Sequence, residues 1–356
     1  MTLDLTRRGL LQAGAATAGL SLAGPATAVI HRAADPLAGL RTPYKYGKLV
    51  LAGSNVPGSF DEKAIDCPFV FSHEGRFYLT YVGFDGTGYQ TGIAVSDDLV
   101  TWERRGVILA RDPADPVTRF NVAAASILRE NELYSPGRLL KVDGEYVCPW
   151  HAYPSAGYEE GPAVIGLAFS SDLRTWRRGP PILRAEDGAA WERGGLYKPF
   201  LVKVDDNFHL YYNAKTADKN WREQTGVAFS KDLKTWRRHP GNPILRNGPV
   251  GSPDERFASD PFIATHRGRW ILYYFGLSAD GKARDLIATG PDPLHFTKSS
   301  EVLIDVGRKG SVDDDYAHKP ALIAHGGDLY HFYCAVSGPF PNEVRGLSVA
   351  RSRPWS

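Results

Sequence analysis

The apolar positions of this chain come in short runs, rich in aromatic and β-branched residues and closed by Gly, Asp or Pro, a pattern that predicts strands rather than helices. The runs themselves repeat. A unit of roughly sixty residues recurs, made of a Pro-led apolar strand, a turn with Gly or Asp, an aromatic strand, and a third strand that leads into Ser-x-Asp-Leu-x-x-Trp. The first copy reads Asp66-Cys67-Pro68-Phe69-Val70-Phe71, Phe77 to Tyr81, then Gly92-Ile93-Ala94-Val95-Ser96 to Trp102. The second has Ser135-Pro136, Tyr146-Val147 and Gly166 to Trp176; the third has Lys198-Pro199-Phe200, His209 to Tyr212 and Gly226 to Trp236. The fourth has Asp260-Pro261-Phe262-Ile263 and Trp270 to Tyr274, with Phe296 where the tryptophan stood. The fifth has Lys319-Pro320, Leu329 to Cys334 and Gly346 to Ala350.

One such unit cannot bury both faces of its sheet, whereas five set radially can. The expectation is an all-β fold, a five-bladed β-propeller of four-stranded antiparallel blades. Each fourth strand follows the tryptophan, as in Gly106-Val107-Ile108-Leu109, Pro181-Ile182-Leu183 and Pro243-Ile244-Leu245. The organisation expected is an export signal over 1–28, an N-terminal segment over 29–60 whose Lys48-Leu49-Val50-Leu51 closes the ring, and the propeller over 61–356.

Composition agrees with many short strands joined by tight turns: 12% aromatic residues, 37 Gly, 25 Pro and only 23% charged residues. A formal net charge of +2 and the lack of any basic run argue against nucleic acid and for a neutral ligand. Thr6-Arg7-Arg8-Gly9-Leu10-Leu11 opens an Ala/Gly/Leu stretch that ends at Ala26-Thr27-Ala28, an A-x-A cleavage pattern. The paired arginines resemble a twin-arginine signal, which implies a periplasmic or extracellular address; an ordinary secretory signal leads to the same place. No later stretch is apolar enough to span a membrane. Cys67, Cys148 and Cys334 are too widely spaced, and too odd in number, for a disulfide framework or a zinc site.

Repetition separates scaffold from site. Asp98, Asp172 and Asp232 occupy one repeated slot and read as turn caps, and Trp102, Trp176 and Trp236 read as packing residues. The variable positions flank the unit-opening prolines: Cys67, Ser135, Lys198, Asp260 and Lys319 stand before them, and Asp66, Tyr134, Tyr197, Ser259 and His318 one residue earlier. Two carboxylates, a histidine and two lysines converging on one pocket form a cluster that folding alone does not require. Glycosidic cleavage needs a carboxylate to activate water or attack the anomeric carbon, and an acid to protonate the leaving oxygen. Asp66 and Asp260 supply carboxylates; His318, Glu132, Glu192 or Glu255 supplies the acid.

On these residues the chain resembles the five-bladed glycoside hydrolase superfamily that includes families 43, 32, 62, 68 and 117, over nearly all of its length after about residue 60. The Ser-x-Asp-Leu-x-x-Trp turns, Asp260-Pro261-Phe262-Ile263 and the aromatic strands carry the likeness. The superfamily draws a base or nucleophile aspartate from its first blade, which falls on Asp66, offset by Cys67 from the proline. Families 43 and 32 add an aspartate and a glutamate where this chain has Ser135 and Lys198. Family 117 is the closer analogy in site layout, with an aspartate from a late blade and a histidine as acid, which fall on Asp260 and His318. The resemblance therefore implies an exo-acting, inverting glycosidase with Asp66 as base, His318 as acid, Asp260 orienting water or substrate, and Glu192 or Glu132 as alternative acids. Lys198, Lys319, Arg138, His151, Tyr89, Gln90 and Glu160 are the expected sugar contacts, since aromatic faces and charged forks suit hydroxyl-rich rings. No cofactor is expected, with calcium on the axis left open. A glycoside phosphorylase and a non-catalytic sugar-binding propeller are the competing readings. The sialidase turn differs from these turns by one residue and a glycine.

Overall fold

The computed structural model describes residues 35–339 and 342–355; the expected export signal lies outside them. Two compact units are distinguished, 1–38 and Gly39–Ser356. Residues 35–38 of the first form a turn in which the Asp35 carbonyl accepts from the Ala38 amide at 3.1 Å. The second unit is all-β among the described residues, apart from single 3-10 turns at Ala185–Asp187 and Ala190–Glu192. No helix among the described residues is long and apolar enough to cross a membrane.

The strands open with β1 (Tyr44–Lys45) and β2 (Leu51–Ala52) and then fall into consecutive antiparallel groups. The first group is β3 (Ala64–His73), β4 (Arg76–Phe84), β5 (Tyr89–Ser96) and β6 (Glu103–Leu109), paired in that order. In the second, β7 (Ala123–Ala124) and β8 (Lys141–Val142) both pair with β9 (Glu145–Ala152), followed by β10 (Val164–Ser170) and β11 (Arg177–Leu183). The third is β12 (Gly195–Val204), β13 (Asn207–Lys215), β14 (Glu223–Ser230) and β15 (Arg237–Arg238); the fourth is β16 (Phe257–His266), β17 (Arg269–Leu277), β18 (Ala283–Gly290) and β19 (Thr297–Ile304). The fifth has β20 (Tyr316–His325), β21 (Asp328–Ser337) and β22 (Val344–Arg351), against which β1 and β2 pair. Short parallel bridges, β14 to β16 and β18 to β20, join the last three groups into one sheet.

The turn reading holds at the atomic level. The Asp98, Asp172 and Asp232 carboxylates each accept two backbone amides two and three residues ahead at 2.7–2.9 Å, and Asp292 does the same in the fourth group. The Trp176 and Trp236 indoles donate to the carbonyls of Leu173 and Leu233. All three cysteines are buried and unbridged.

Two registers differ from the expectation. The inner strand of the second group is the alanine run around Ala123–Ala124, paired with His151 and Trp150, whereas Ser135-Pro136 lies in the loop beyond it. Lacking a proline, the true strand carried no repeat signature, and Ser135-Pro136 imitated one. In the fifth group Ser348, not Gly346, is the counterpart of Gly92 and Gly226, because Ser348 pairs with Tyr333 as Gly92 pairs with Tyr81 and Gly226 with Tyr212.

Those tyrosines belong to a repeated polar clamp. Asp61 accepts from Tyr81 Oη and Arg104, Glu192 from Tyr212 Oη and Arg238, Asp254 from Tyr274 Oη and Lys298, and Asp313 from Tyr333 Oη and Lys45. In each, the carboxylate precedes its tyrosine by 20 residues and the cation comes from the outermost strand of the group. Lys45 on β1 therefore stands where Arg104, Arg238 and Lys298 stand, so β1 occupies the fourth-strand place of the fifth group. Arg129 ties inner strands together: it is buried near the Phe69 and Phe262 rings and donates to the carbonyls of Val70 (2.7 Å) and Leu322 (2.8 Å).

Asp313→Ala removes the acceptor of two donors at once, and replacing one member of a buried polar pair is costly because the others lose their partner. The expected loss is about 2–3 kcal/mol of unfolding free energy by urea titration, against about 1 kcal/mol for Lys45→Met, whose ammonium is partly solvated.

Candidate active site

Four inner strands share one irregularity. Cys67, Lys198, Asp260 and Lys319, each directly before a proline, have φ of 54°, 50°, 52° and 69°. At each the strand pairing slips, between Asp66 and Phe69, Tyr197 and Phe200, Ser259 and Phe262, and His318 and Ala321. A bulge breaks the alternation of side chains, so two consecutive residues can face one way. Asp66 with Cys67, Tyr197 with Lys198, and His318 with Lys319 accordingly line the same cavity, joined by Asp260. Left-handed φ is unfavourable for these residue types, and polar side chains hold the amides concerned. The Cys67 amide donates to Asp66 Oδ1 (2.7 Å), the Asp260 amide to Asn213 Oδ1 (2.6 Å) and the Lys198 amide to His151 Nδ1 (3.4 Å). The Lys319 amide faces the buried carboxyl of Asp285, which is bonded in turn to His331 Nε2 (3.0 Å).

The cavity has a volume of about 400 Å³ and is walled by aromatic rings, among them Tyr89, Tyr153, Tyr197, Trp221, Phe257 and Tyr316. Asp66 is a buried member of its lining. Its Oδ2 accepts from Lys319 Nζ at 2.8 Å and from Arg345 at 3.0 Å. Burial alone would raise its pKa, but these two cations outweigh that and hold the carboxyl well below the usual range. Lys198 pairs with Asp260 Oδ2 at 3.5 Å. His318 shares its Nδ1 with the Cys334 carbonyl (3.1 Å), and burial, followed by the positive charge of Lys319, pushes its pKa well below the ordinary histidine range. His151 is displaced the same way, by burial and by Lys198. Both imidazoles are neutral in ordinary buffers and serve as hydrogen-bonding groups.

Glu223, the first residue of β14, behaves in the opposite sense. It is buried, accepts from Trp221 Nε1 (3.0 Å) and Ser259 Oγ (2.9 Å), and is pushed up to about 7 by burial and then by the charge of Glu159. Glu159 is half-buried on the loop between β9 and β10 and also lines the cavity; its carboxylate makes no hydrogen bond among the described residues. A carboxyl poised near neutrality beside a second carboxylate is an arrangement suited to proton transfer.

Of the residues expected from sequence, Asp66, Asp260, His318, Lys198, Lys319, His151, Tyr89 and Glu160 line this cavity. Four lie elsewhere. Glu192 is the clamp carboxylate of the third group, held by Tyr212 and Arg238. Glu132 is an exposed partner of Thr265 and His266, and Arg138 pairs with Glu130 at the surface. Gln90 accepts from the Arg111 amide on the far side of its strand from Tyr89. Sequence reasoning missed Glu223, Glu159, Glu343 and Arg345. A signal for two of them exists: Gly92, Gly166, Gly226, Leu286 and Ser348 hold one place in successive third strands, the residues three before them are Tyr89, Ala163, Glu223, Ala283 and Arg345, and all but Ala163 reach the cavity.

Comparison with known proteins adds four likenesses. A family model described as "Glycosyl hydrolases family 32 N-terminal domain" matches residues 129–311. The chain is 30% identical over 163 residues to a 1,2-beta-oligomannan phosphorylase of Thermoanaerobacter sp. (strain X514), covering 44% of each protein. It is 27% identical over 193 residues to the levanase of Bacillus subtilis (strain 168), covering 51% of this chain and 26% of that one. These matches span less than half of either curated relative. A solved RGII complex of the protein BT0996 superposes with a TM-score of 0.76 at 30% identity, covering 89% of this chain and 93% of that one.

Lys319→Met leaves Asp66 one cation instead of two. A carboxyl with a depressed folded pKa contributes stability above its unfolded pKa and loses it as pH falls through the folded value. With the depression reduced, that loss begins at higher pH. Urea melts at pH 7 should show a deficit of about 3 kcal/mol, and an acid titration followed by circular dichroism should show unfolding at a pH above that of the parent protein.

Proposed function

We propose a function from one premise: this protein belongs to the glycosyl hydrolases family 32 N-terminal domain family. It hydrolyses O-glycosyl bonds of an oligo- or polysaccharide, and its strand groups are the five blades of a β-propeller, the fifth completed by β1 and β2. The observation that carries the reading is a set of carboxylates in one cavity with protonation states driven apart: Glu223 near 7, Asp66 far below its ordinary range. A carboxyl kept protonated near neutrality among ionised ones can serve as the acid of glycosidic cleavage.

Glu223, rather than His318, is the general acid, because a histidine that stays neutral has no spare proton at working pH. Glu159, whose side chain is uncommitted and whose charge bears on Glu223, is the facing carboxylate that activates water with inversion at the anomeric carbon. Asp66 is ionised but carries Lys319, Arg345 and the Cys67 amide, and a carboxylate held so low is a weak base. Its role, with Asp260 and Lys198, is to fix sugar hydroxyls. A small cavity ringed by aromatic faces suits a terminal residue and hence exo action. The reaction needs no cofactor: the buried Arg129 guanidinium already lies among the inner strands, where a divalent ion would meet like charge. Export to the periplasm or exterior remains part of the proposal.

Phosphorolysis is the second reading, favoured by the likeness to a phosphorylase. Electrostatics weigh against it. Six carboxylates (Asp66, Glu159, Glu160, Glu223, Asp260, Glu343) face three cations (Lys198, Lys319, Arg345) in the cavity, and each cation has an acidic neighbour. A phosphate dianion would find little compensation.

RGII oligosaccharides, 1,2-β-oligomannan and levan are the first substrates to try, with and without inorganic phosphate, the product anomer followed by NMR. Since Glu223 must hold its proton to donate it, kcat/KM should fall as pH rises through about 7. Glu223→Gln should lose on the order of 10²–10⁴-fold in kcat on substrates with poor leaving groups and should abolish that alkaline limb. Product formed only with phosphate present, or a Glu223→Gln protein with full turnover, would sink the hydrolytic reading; retained ligand affinity without turnover in the parent protein would favour a binding propeller.

A further inference from the structure

Lys215, at the end of β13, has no part in the chemistry assigned above. Its ammonium lies 5.3 Å from the centre of the Trp221 ring and 5.7 Å from those of Tyr153 and Tyr197. From this cage it donates to the main-chain carbonyl of Glu159 at 3.2 Å. In the β13–β14 register Lys215 is directly opposite Glu223, and directly opposed residues stand on one face with Cβ atoms about 5 Å apart. A single side chain thus connects the main chain that carries Glu159 to the strand that carries Glu223.

The segment 154–162 has further attachments to the first strand group and to the stretch leading into β7. The Gly157 amide donates to the Thr87 carbonyl (2.9 Å), Asn121 Nδ2 donates to the Ser155 carbonyl (2.8 Å), and Tyr158 stacks on Phe84 at 4.0 Å. The electron-rich face of each ring attracts the caged cation.

We propose that Lys215 is a positioning residue that sets the distance between Glu159 and Glu223 by clamping the 154–162 segment to the end of β13. This rests on the reading of Glu223 as the acid. Facing Glu223 are Trp221 from the preceding turn, Tyr197 from β12, Ser259 and Phe257 from β16, Tyr153 and Glu159 from the β9–β10 connection, and Lys215 itself. Two effects of Lys215→Met then have opposite signs. Loss of a nearby cation by itself raises the pKa of Glu223, whereas release of Glu159 from its neighbourhood lowers it.

The test uses NMR to follow the Glu carboxyl carbons of the full-length [δ-¹³C]Glu-labelled protein across pH 4–9, with the Glu223 resonance assigned through Glu223→Gln. In Lys215→Met, Glu223 should titrate about one pH unit lower than in the parent, and Lys215→Arg, which keeps a caged donor, should restore most of the difference. In the Glu159→Gln background Lys215→Met should produce no downward displacement. Should Lys215→Met not fold, Tyr153→Leu opens the same cage and carries the same expectation. Upward or absent displacement in the folded variant overturns the clamp while leaving Glu223 in place. Titration of Glu223 in the ordinary carboxylate range in the parent protein overturns the acid assignment beneath it.

Discussion

The site depends on one backbone constraint: an inner strand that must hold a non-glycine residue in the left-handed region immediately before a proline. That conformation costs on the order of 1–2 kcal/mol per residue, and the chain repeats it four times. What the constraint provides is direction. A regular strand would send Asp66 and Cys67, or His318 and Lys319, to opposite faces; the bulge puts both toward one cavity. The Asp66 and Asn213 side chains bonded to the strained amides are thus scaffold for the site. The second group, which opens on alanines instead, contributes no charge from its inner strand.

Around that frame the chain uses buried charge in two ways. In the clamps of Asp61, Glu192, Asp254 and Asp313, a carboxylate, a tyrosine and a cation satisfy one another and tie the outermost strand of a group to its middle. In the cavity the balance is left uneven. Asp66 is over-supplied with cations, whereas Glu223 has neutral donors and a like charge. Uneven compensation of this kind destabilises the fold locally, and it is what separates the proton affinities of two carboxyls in the same cavity.

The strands, the turn caps and the cavity's inner tier were legible in the sequence because proline, aspartate and tryptophan mark the same places in successive repeats while Asp66, Lys198, Asp260, His318 and Lys319 vary beside them. The outer tier was not. Glu223 and Arg345 open third strands, where no invariant residue adjoins them, and the fifth repeat is offset by two residues from its apparent glycine. Glu159 sits on the longest of the connections between second and third strands, where the repeats share no pattern, so repetition says nothing about it. Glu192 misled for the converse reason: its clamp equivalents are aspartates in the other groups, which hid that it too is a repeated part.

The pairing of β1 with β22 has a consequence in time. Lys45, near the start of the chain, finds its place beside Ala350, near the end, and completes a clamp whose other members arrive with β20 and β21. Contacts so distant in sequence close late, because the loop entropy must be met before they reward it. Until then the last sheet exposes a bare edge able to recruit the wrong strand. The seam where the first strand meets the last is therefore where assembly finishes, and where opening under load should begin.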